Sequence, residues 1–170
     1  MAGRKPRGPD PVPPPLGGIV IDGANVVASS RVRPLERLDL VVAWFAAWRR
    51  DLGIQVFIDH ATAVRMTPPA QAVLRARCED VTPGRARYAV CPRHEAADEH
   101  VLRHAHAHRA LVVSNDRFFD HDALRRGVLT VQFTIVGDEL AVFDEATWFL
   151  ATGAAVRVPM VVLREAGRVD

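Results

Sequence analysis

Short apolar runs rich in β-branched residues recur along this chain, and three of them stop at or just before an aspartate. They fall at residues 19–21, 54–58, 87–90 and 110–113, with a longer run at 128–136. Between them, Leu38, Val41, Val42, Phe45 and Trp48 repeat at helical spacing after Pro34, and Gly53 supplies a stop, so 34–52 reads as a helix. Residues 67–79, with prolines in the first turn, 95–108 and 117–126 read as further helices. Brief apolar strands alternating with helices predict a mainly parallel sheet covered on both faces, because only there are strands buried on both sides. Residues 128–136 and 140–143 read as a strand pair turning at Gly137 and Asp138.

The 170 residues are one domain's worth, and 49% hydrophobic with 25% charged residues is the make-up of a water-soluble globular protein with a sizeable core. Residues 1–18 concentrate proline and basic side chains and read as an extended arm. Residues 19–150 form the domain, and 151–170 a C-terminal extension in which 156–163 is either an added strand or a packed arm. No run reaches the length of a membrane span, and proline stands where a secretory signal needs its apolar segment. Cys78 and Cys91 are too few for a disulfide framework or a four-cysteine zinc site, which suits a reducing, cytoplasmic setting. Net charge is only +2, yet every basic residue except Lys5 is arginine. The planar guanidinium matches phosphate oxygens, although a GC-rich coding sequence produces the same bias.

The aspartates carry the chemistry. Asp22 follows the first run, Asp59 the second, and Asp116 the fourth after Ser114 and Asn115. In open α/β sheets, ligands bind beyond the carboxyl ends of the strands, where strand order reverses. Asp120, four residues after Asp116, is placed on the same helical face, and Asp98 on the first turn of the next helix back, beside Glu99 and one turn after Glu95. Carboxylates converging in one crevice repel one another unless a hard cation is present, and oxygen ligands favour Mg2+ or Mn2+. Such a cation activates water and stabilises charge developing on a phosphodiester. Taken singly, each acid reads equally well as a turn or helix cap.

The segments IVIDGANVVASS (19–30) and LVVSNDRFFDH (111–121), with DEHVLRHAH between them, resemble the NYN branch of the PIN-like nucleases, closest to the Regnase-type endoribonuclease domain of CCCH zinc-finger proteins. The matched positions are Asp22, Gly23 and Asn25, then Ser114, Asn115, Asp116 and Asp120; the likeness runs over about 19–147. It implies an α/β, PIN-like three-layer sandwich with strand order 3-2-1-4-5 and divalent-metal-dependent hydrolysis of single-stranded or looped RNA. Asp22, Asp98, Asp116 and Asp120 would form the metal-binding acidic centre, and Asn25 would orient a water, a ligand or a phosphate. The family's paired central acids fall on Ala97 and Asp98, so one is missing, with Glu95 as its substitute. The basic loop before them is cut to Cys91-Pro92-Arg93-His94, and the zinc finger is absent from this sequence.

Arg85, Arg87, Arg93 and Arg117 are the expected RNA contacts, since three precede the acidic helix and one adjoins Asp116. His100, His104 and His108 at i,i+4 spacing read as an exposed polar face or an adventitious transition-metal site. Trp44 and Trp48 read as core rather than as base-stacking rings. Neither a zincin motif nor a P-loop or dinucleotide fingerprint occurs. Two rival readings stay open: a non-catalytic RNA-binding module of the same fold, and a toxin-type nuclease held by a regulatory protein partner. Self-association is equally open.

Overall fold

In the computed structural model, which describes residues 12–28 and 34–166, a seven-stranded sheet runs in the order β3-β2-β1-β4-β5-β8-β9. The strands are β1 (Gly18–Asp22), β2 (Ile54–Ile58), β3 (Arg87–Val90), β4 (Ala110–Val113), β5 (Leu129–Val131), β8 (Glu145–Phe149) and β9 (Ala155–Pro159). The first five are parallel in the expected order 3-2-1-4-5, and β8 and β9 join antiparallel beyond β5. A separate hairpin of β6 (Phe133–Val136) and β7 (Glu139–Val142) replaces the continuation of β5. Residue Gln132 interrupts the apolar run there. Residues 155–159, in the segment read as an extension, hydrogen-bond to β8 as a sheet edge and lead into α7 (Met160–Ala166).

β1 is buried along its whole length because it lies between β2 and β4 and under helices on both sides. One face packs Ile19, Ile21, Val56, Ile58, Leu111 and Val113 against α2 (Pro34–Trp48), whose Leu35, Leu38, Val41 and Phe45 form a buried stripe. The other packs Val20 and Val112 against Val101, Leu102 and Ala105 of α5 (Ala97–His108). Trp44 and Trp48 lie against the first core, with ring centroids 6.2 Å apart, as the packing reading requires. The remaining helices are α1 (Gly23–Ala28), α3 (His60–Arg65), α4 (Pro68–Glu79) and α6 (Asp122–Arg125).

Three expected helices change. α2 stops at Trp48, four residues early, where Arg49 turns to chelate Asp51 with Nε–Oδ1 at 2.7 Å. α5 starts at Ala97, so Glu95 lies in the preceding loop rather than on the helix. The stretch 117–126 is broken: Phe118 is left-handed (φ 51°), and only a 3-10 turn at Phe119–His121 and the short α6 are helical. Phe118 is driven into that conformation by burying its ring in the second core while its N–H caps Asp116 Oδ1 at 2.8 Å.

Candidate active site

Strand order reverses between β1 and β4, so the switch-point crevice lies beyond their carboxyl ends. Asp22 ends β1 and is the residue from which α1 springs. Its Oδ1 accepts the Asn25 N–H at 3.0 Å, a helix-capping bond. Gly23 is obligatory: a Cβ there would stand 2.7 Å from Ile58 Cγ1 and 2.8 Å from the Phe57 carbonyl oxygen. The Asp-Gly pair thus presses the start of α1 against β2 and leaves Asp22 only 3% exposed.

From β4, Ser114 reaches across. Its Oγ donates to Asp22 Oδ2 at 2.8 Å and accepts the Asp116 N–H at 3.0 Å, which ties the two predicted acids through one hydroxyl. Asn25 and Asn115 complete the brace. The Asn115 N–H donates to Asn25 Oδ1 at 3.1 Å, and Asn115 Oδ1 accepts the Phe133 N–H at 2.9 Å. Both asparagines therefore hold the loop after β4, and Asn25 uses its carbonyl for that purpose rather than leaving it for a ligand.

Asp98 faces this pair from the first turn of α5. Burial pushes its carboxyl up, with Asp116, Asp120 and Asp59 adding to the rise and His121 opposing it. Burial likewise pushes Asp22 up to about 6, against the bonds from Asn25 and Ser114, with Asp98 and Asp116 adding. Asp22 at the end of β1, Asp116 after β4 and Asp98 on α5 thus influence one another electrostatically. Asp120 is exposed on the 3-10 turn, not on a helical face continuous with Asp116. Asp59 caps α3 by accepting the Thr62 N–H at 2.7 Å. Exposed Glu95 is held by His100 Nε2 at 2.7 Å.

Among the described residues, no three His, Cys, Asp or Glu side chains are close enough to hold a metal ion together. The donor set is still all oxygen, and burial, with like charge adding, pushes its buried member, Asp22, up to about 6. That suits a hard cation that retains water and touches few side chains directly, as Mg2+ does. His121, with Nε2 3.7 Å from Asp98 Oδ2, and Phe119, 63% exposed beside it, border the site and went unnoticed in the sequence. The Arg125 guanidinium lies 4.9 Å from the Phe119 ring centroid, so one ring face is backed and the other is open. A double phenylalanine after the Asn-Asp pair was the available signal.

The arginines divide. Arg93 and Arg117 lie on loops at the carboxyl ends of the strands, whereas Arg85 and Arg87 precede or open β3 and sit at the amino ends. The histidine face of α5 is not a bare polar one: His100 and His104 are half-buried, 5.7 and 5.6 Å from the Phe57 ring.

No protein-family model and no curated protein matches the chain. Similar solved structures include two of the nuclear proteinaceous RNase P 2 (PRORP2) of Arabidopsis thaliana. One is 17% identical with a TM-score of 0.56, covering 73% of this chain and 29% of that one. The other is 14% identical with a TM-score of 0.56, covering 81% and 34%. The present chain therefore spans about a third of those proteins. The likeness is one of fold, a PIN-like α/β sandwich, and in this chain its parallel strands run 3-2-1-4-5. No helix among the described residues is long and apolar enough to cross a membrane.

Proposed function

We propose that this chain is a divalent-metal-dependent endoribonuclease acting on single-stranded or looped RNA. The observation that carries the reading is the coupling of Asp22, Asp116 and Asp98 at the switch point, where one serine bonds to both Asp22 and the Asp116 backbone. The Asp-Gly-x-Asn and Ser-Asn-Asp segments that resemble the Regnase-type domain meet at this point, and the similar solved structures are of a proteinaceous RNase P.

Asp22, Asp98 and Asp116 would hold Mg2+ or Mn2+ in part through waters that the ion retains, with Asp120 at the rim. When bound, the cation supplies Lewis-acid stabilisation of the scissile phosphate and lowers the pKa of water. Ser114 fixes the orientation of the Asp22 carboxylate, and Asn25 with Asn115 fixes the loop that carries Asp116. His121, with Nε2 3.7 Å from Asp98 Oδ2, would serve to protonate the leaving oxygen. The open face of Phe119 accepts an unpaired base, because stacking needs only a free ring face. Arg93 and Arg117 contact flanking phosphates. A cytoplasmic setting agrees with the two unpaired thiols, Cys78 and Cys91.

Ala97 is the observation that favours a second reading. An alanine, buried at 5% exposure, stands where the resembling family pairs a second carboxylate with Asp98. A non-catalytic RNA-binding module follows if three acids are too few. Calorimetric titration with manganese decides between the two. The enzyme reading expects parental binding to be lost in Asp98→Asn and Asp22→Asn, with the fold unchanged by circular dichroism. Equal manganese binding in all three proteins contradicts it.

A further inference from the structure

The amino ends of β1, β2 and β3 open on a cavity of about 650 Å³, on the side of the sheet opposite the acidic crevice. Its charged lining is Arg49, Arg50, Arg85, Arg87 and one acid, Asp51, with His104 and His108 from α5. Asp51 is occupied by Arg49, and Arg85 by Asp80 at 3.0 Å. Arg50 and Arg87, both exposed, have no hydrogen-bond or ion-pair partner among the described residues. The floor is open: nothing stands within 4 Å of where a Cβ would be at Gly53 or Gly84. Two unpaired guanidiniums at the mouth of a polar cavity are the arrangement that phosphate oxygens recognise by paired hydrogen bonds.

A row of rings along α5 lies between the cavity and the acidic end. His100, His104 and His108 run along one face of α5, from the loop that holds Glu95 to the cavity wall. Phe57 lies against the first two, and the last pair of rings is 4.3 Å apart. β1, with five residues, makes the separation of the two ends about 16 Å.

We propose that this cavity is a second phosphate-binding site, one that grips the backbone of an RNA strand whose scissile bond lies at the acidic crevice. The RNA assignment rests on the nuclease reading; the phosphate chemistry stands on the arginines alone. Arg50 and Arg87 contact the phosphates, and the half-buried rings along α5 border the path between the two ends.

The test reads binding by fluorescence anisotropy in chelator, so strand scission plays no part. The probe is a labelled unstructured RNA long enough to reach both ends. Arg50→Glu with Arg87→Glu should lower its affinity roughly tenfold or more and flatten the log–log salt dependence by about 1.4, the share of two single-strand phosphate contacts. Arg75→Glu, an exposed charge reversal on α4 outside the cavity, serves as the control and should stay near the parent. Parental affinity in the double variant, or a loss no greater than that of Arg75→Glu, overturns the site. Inorganic phosphate or a nucleoside monophosphate that competes as well as the long RNA also overturns it, by showing a pocket for small anions. A protein that fails to cleave RNA yet loses binding in the double variant contradicts the nuclease reading and leaves this site standing.

Discussion

The two ends of the parallel sheet are built oppositely from the same strands. At the carboxyl ends, Asp59, Asp98, Asp116 and Asp120 lie at the same end as Asp22, whose buried carboxyl is pushed up chiefly by burial, with Asp98 and Asp116 adding. At the amino ends, guanidiniums dominate, and the acids present, Asp51 and Asp80, are held well below the usual carboxylate range, to about 2, by hydrogen bonds in which Arg49 and Thr82 lead. One end stores unfavourable charge and the other satisfies it. Stored like charge is what a site does when its missing partner is a cation, whereas satisfied acids leave excess arginine free for an anion.

The contrast gives stability a pH dependence of opposite sign at the two ends. Asp22 titrates higher in the folded protein than in the unfolded chain. Its contribution is therefore complete below about pH 4 and is lost as pH rises through about 6. By linkage the loss is on the order of 3 kcal/mol, and it should show as a falling thermal midpoint over that window in metal-free protein. Asp22→Asn should remove most of the fall, leaving the part due to Asp98, since an amide keeps an acceptor for the Asn25 N–H and a donor toward Ser114. A variant that falls as the parent does would dissociate Asp22 from the effect.

Packing differs between the ends as well. Gly23→Ala forces a Cβ against Ile58 and the Phe57 carbonyl, and should cost about 1–3 kcal/mol in denaturant unfolding. Gly53→Ala at the amino edge meets nothing, so its cost should stay within about 0.5 kcal/mol. Equal costs would show that the carboxyl end is no more tightly built.

The smallest effect belongs to Asp51. Its pKa is lowered in the fold, so its contribution is present above about pH 4 and lost as pH falls toward 2. Since Asp51 is 59% exposed, solvent screening holds the contribution to less than about 1 kcal/mol. Asp51→Asn should flatten only that acid limb of the stability curve, and a change near pH 6 would contradict the assignment.

The strand pattern made most of this fold legible, because residues buried on both faces of a sheet have to be apolar throughout. Asp22 and Asp116 stood out for the same reason, since a carboxylate at or just past the end of such a run has few places to be, whereas Asp98 stood out through its place on a helix start and the family resemblance. The hairpin turn at Gly137 and Asp138 was legible, but the division of 128–136 into β5 and β6 was not, because only Gln132 interrupts that apolar run. β8 was missed because its EATWF mixes polar and apolar residues, as an antiparallel strand covered unequally does. Phe118 showed no sign of its left-handed backbone, since tertiary burial of its ring sets that conformation. Arg85 and Arg87 read as neighbours of the acidic helix in sequence, yet a parallel strand carries its two ends to opposite sides of the sheet. Sequence proximity was the wrong measure there.

The central claim is that the carboxyl end cuts RNA and the amino end only holds it. The most direct measurement is incubation of end-labelled unstructured RNA with Mn2+, with and without chelator, for the parent, Asp22→Asn and Asp116→Asn. Internal cleavage by the parent that chelator stops, and that falls roughly a hundredfold or more in each variant, is the predicted result. Cleavage that survives chelator, parental activity in either variant, or tight binding with no cleavage by the parent contradicts it.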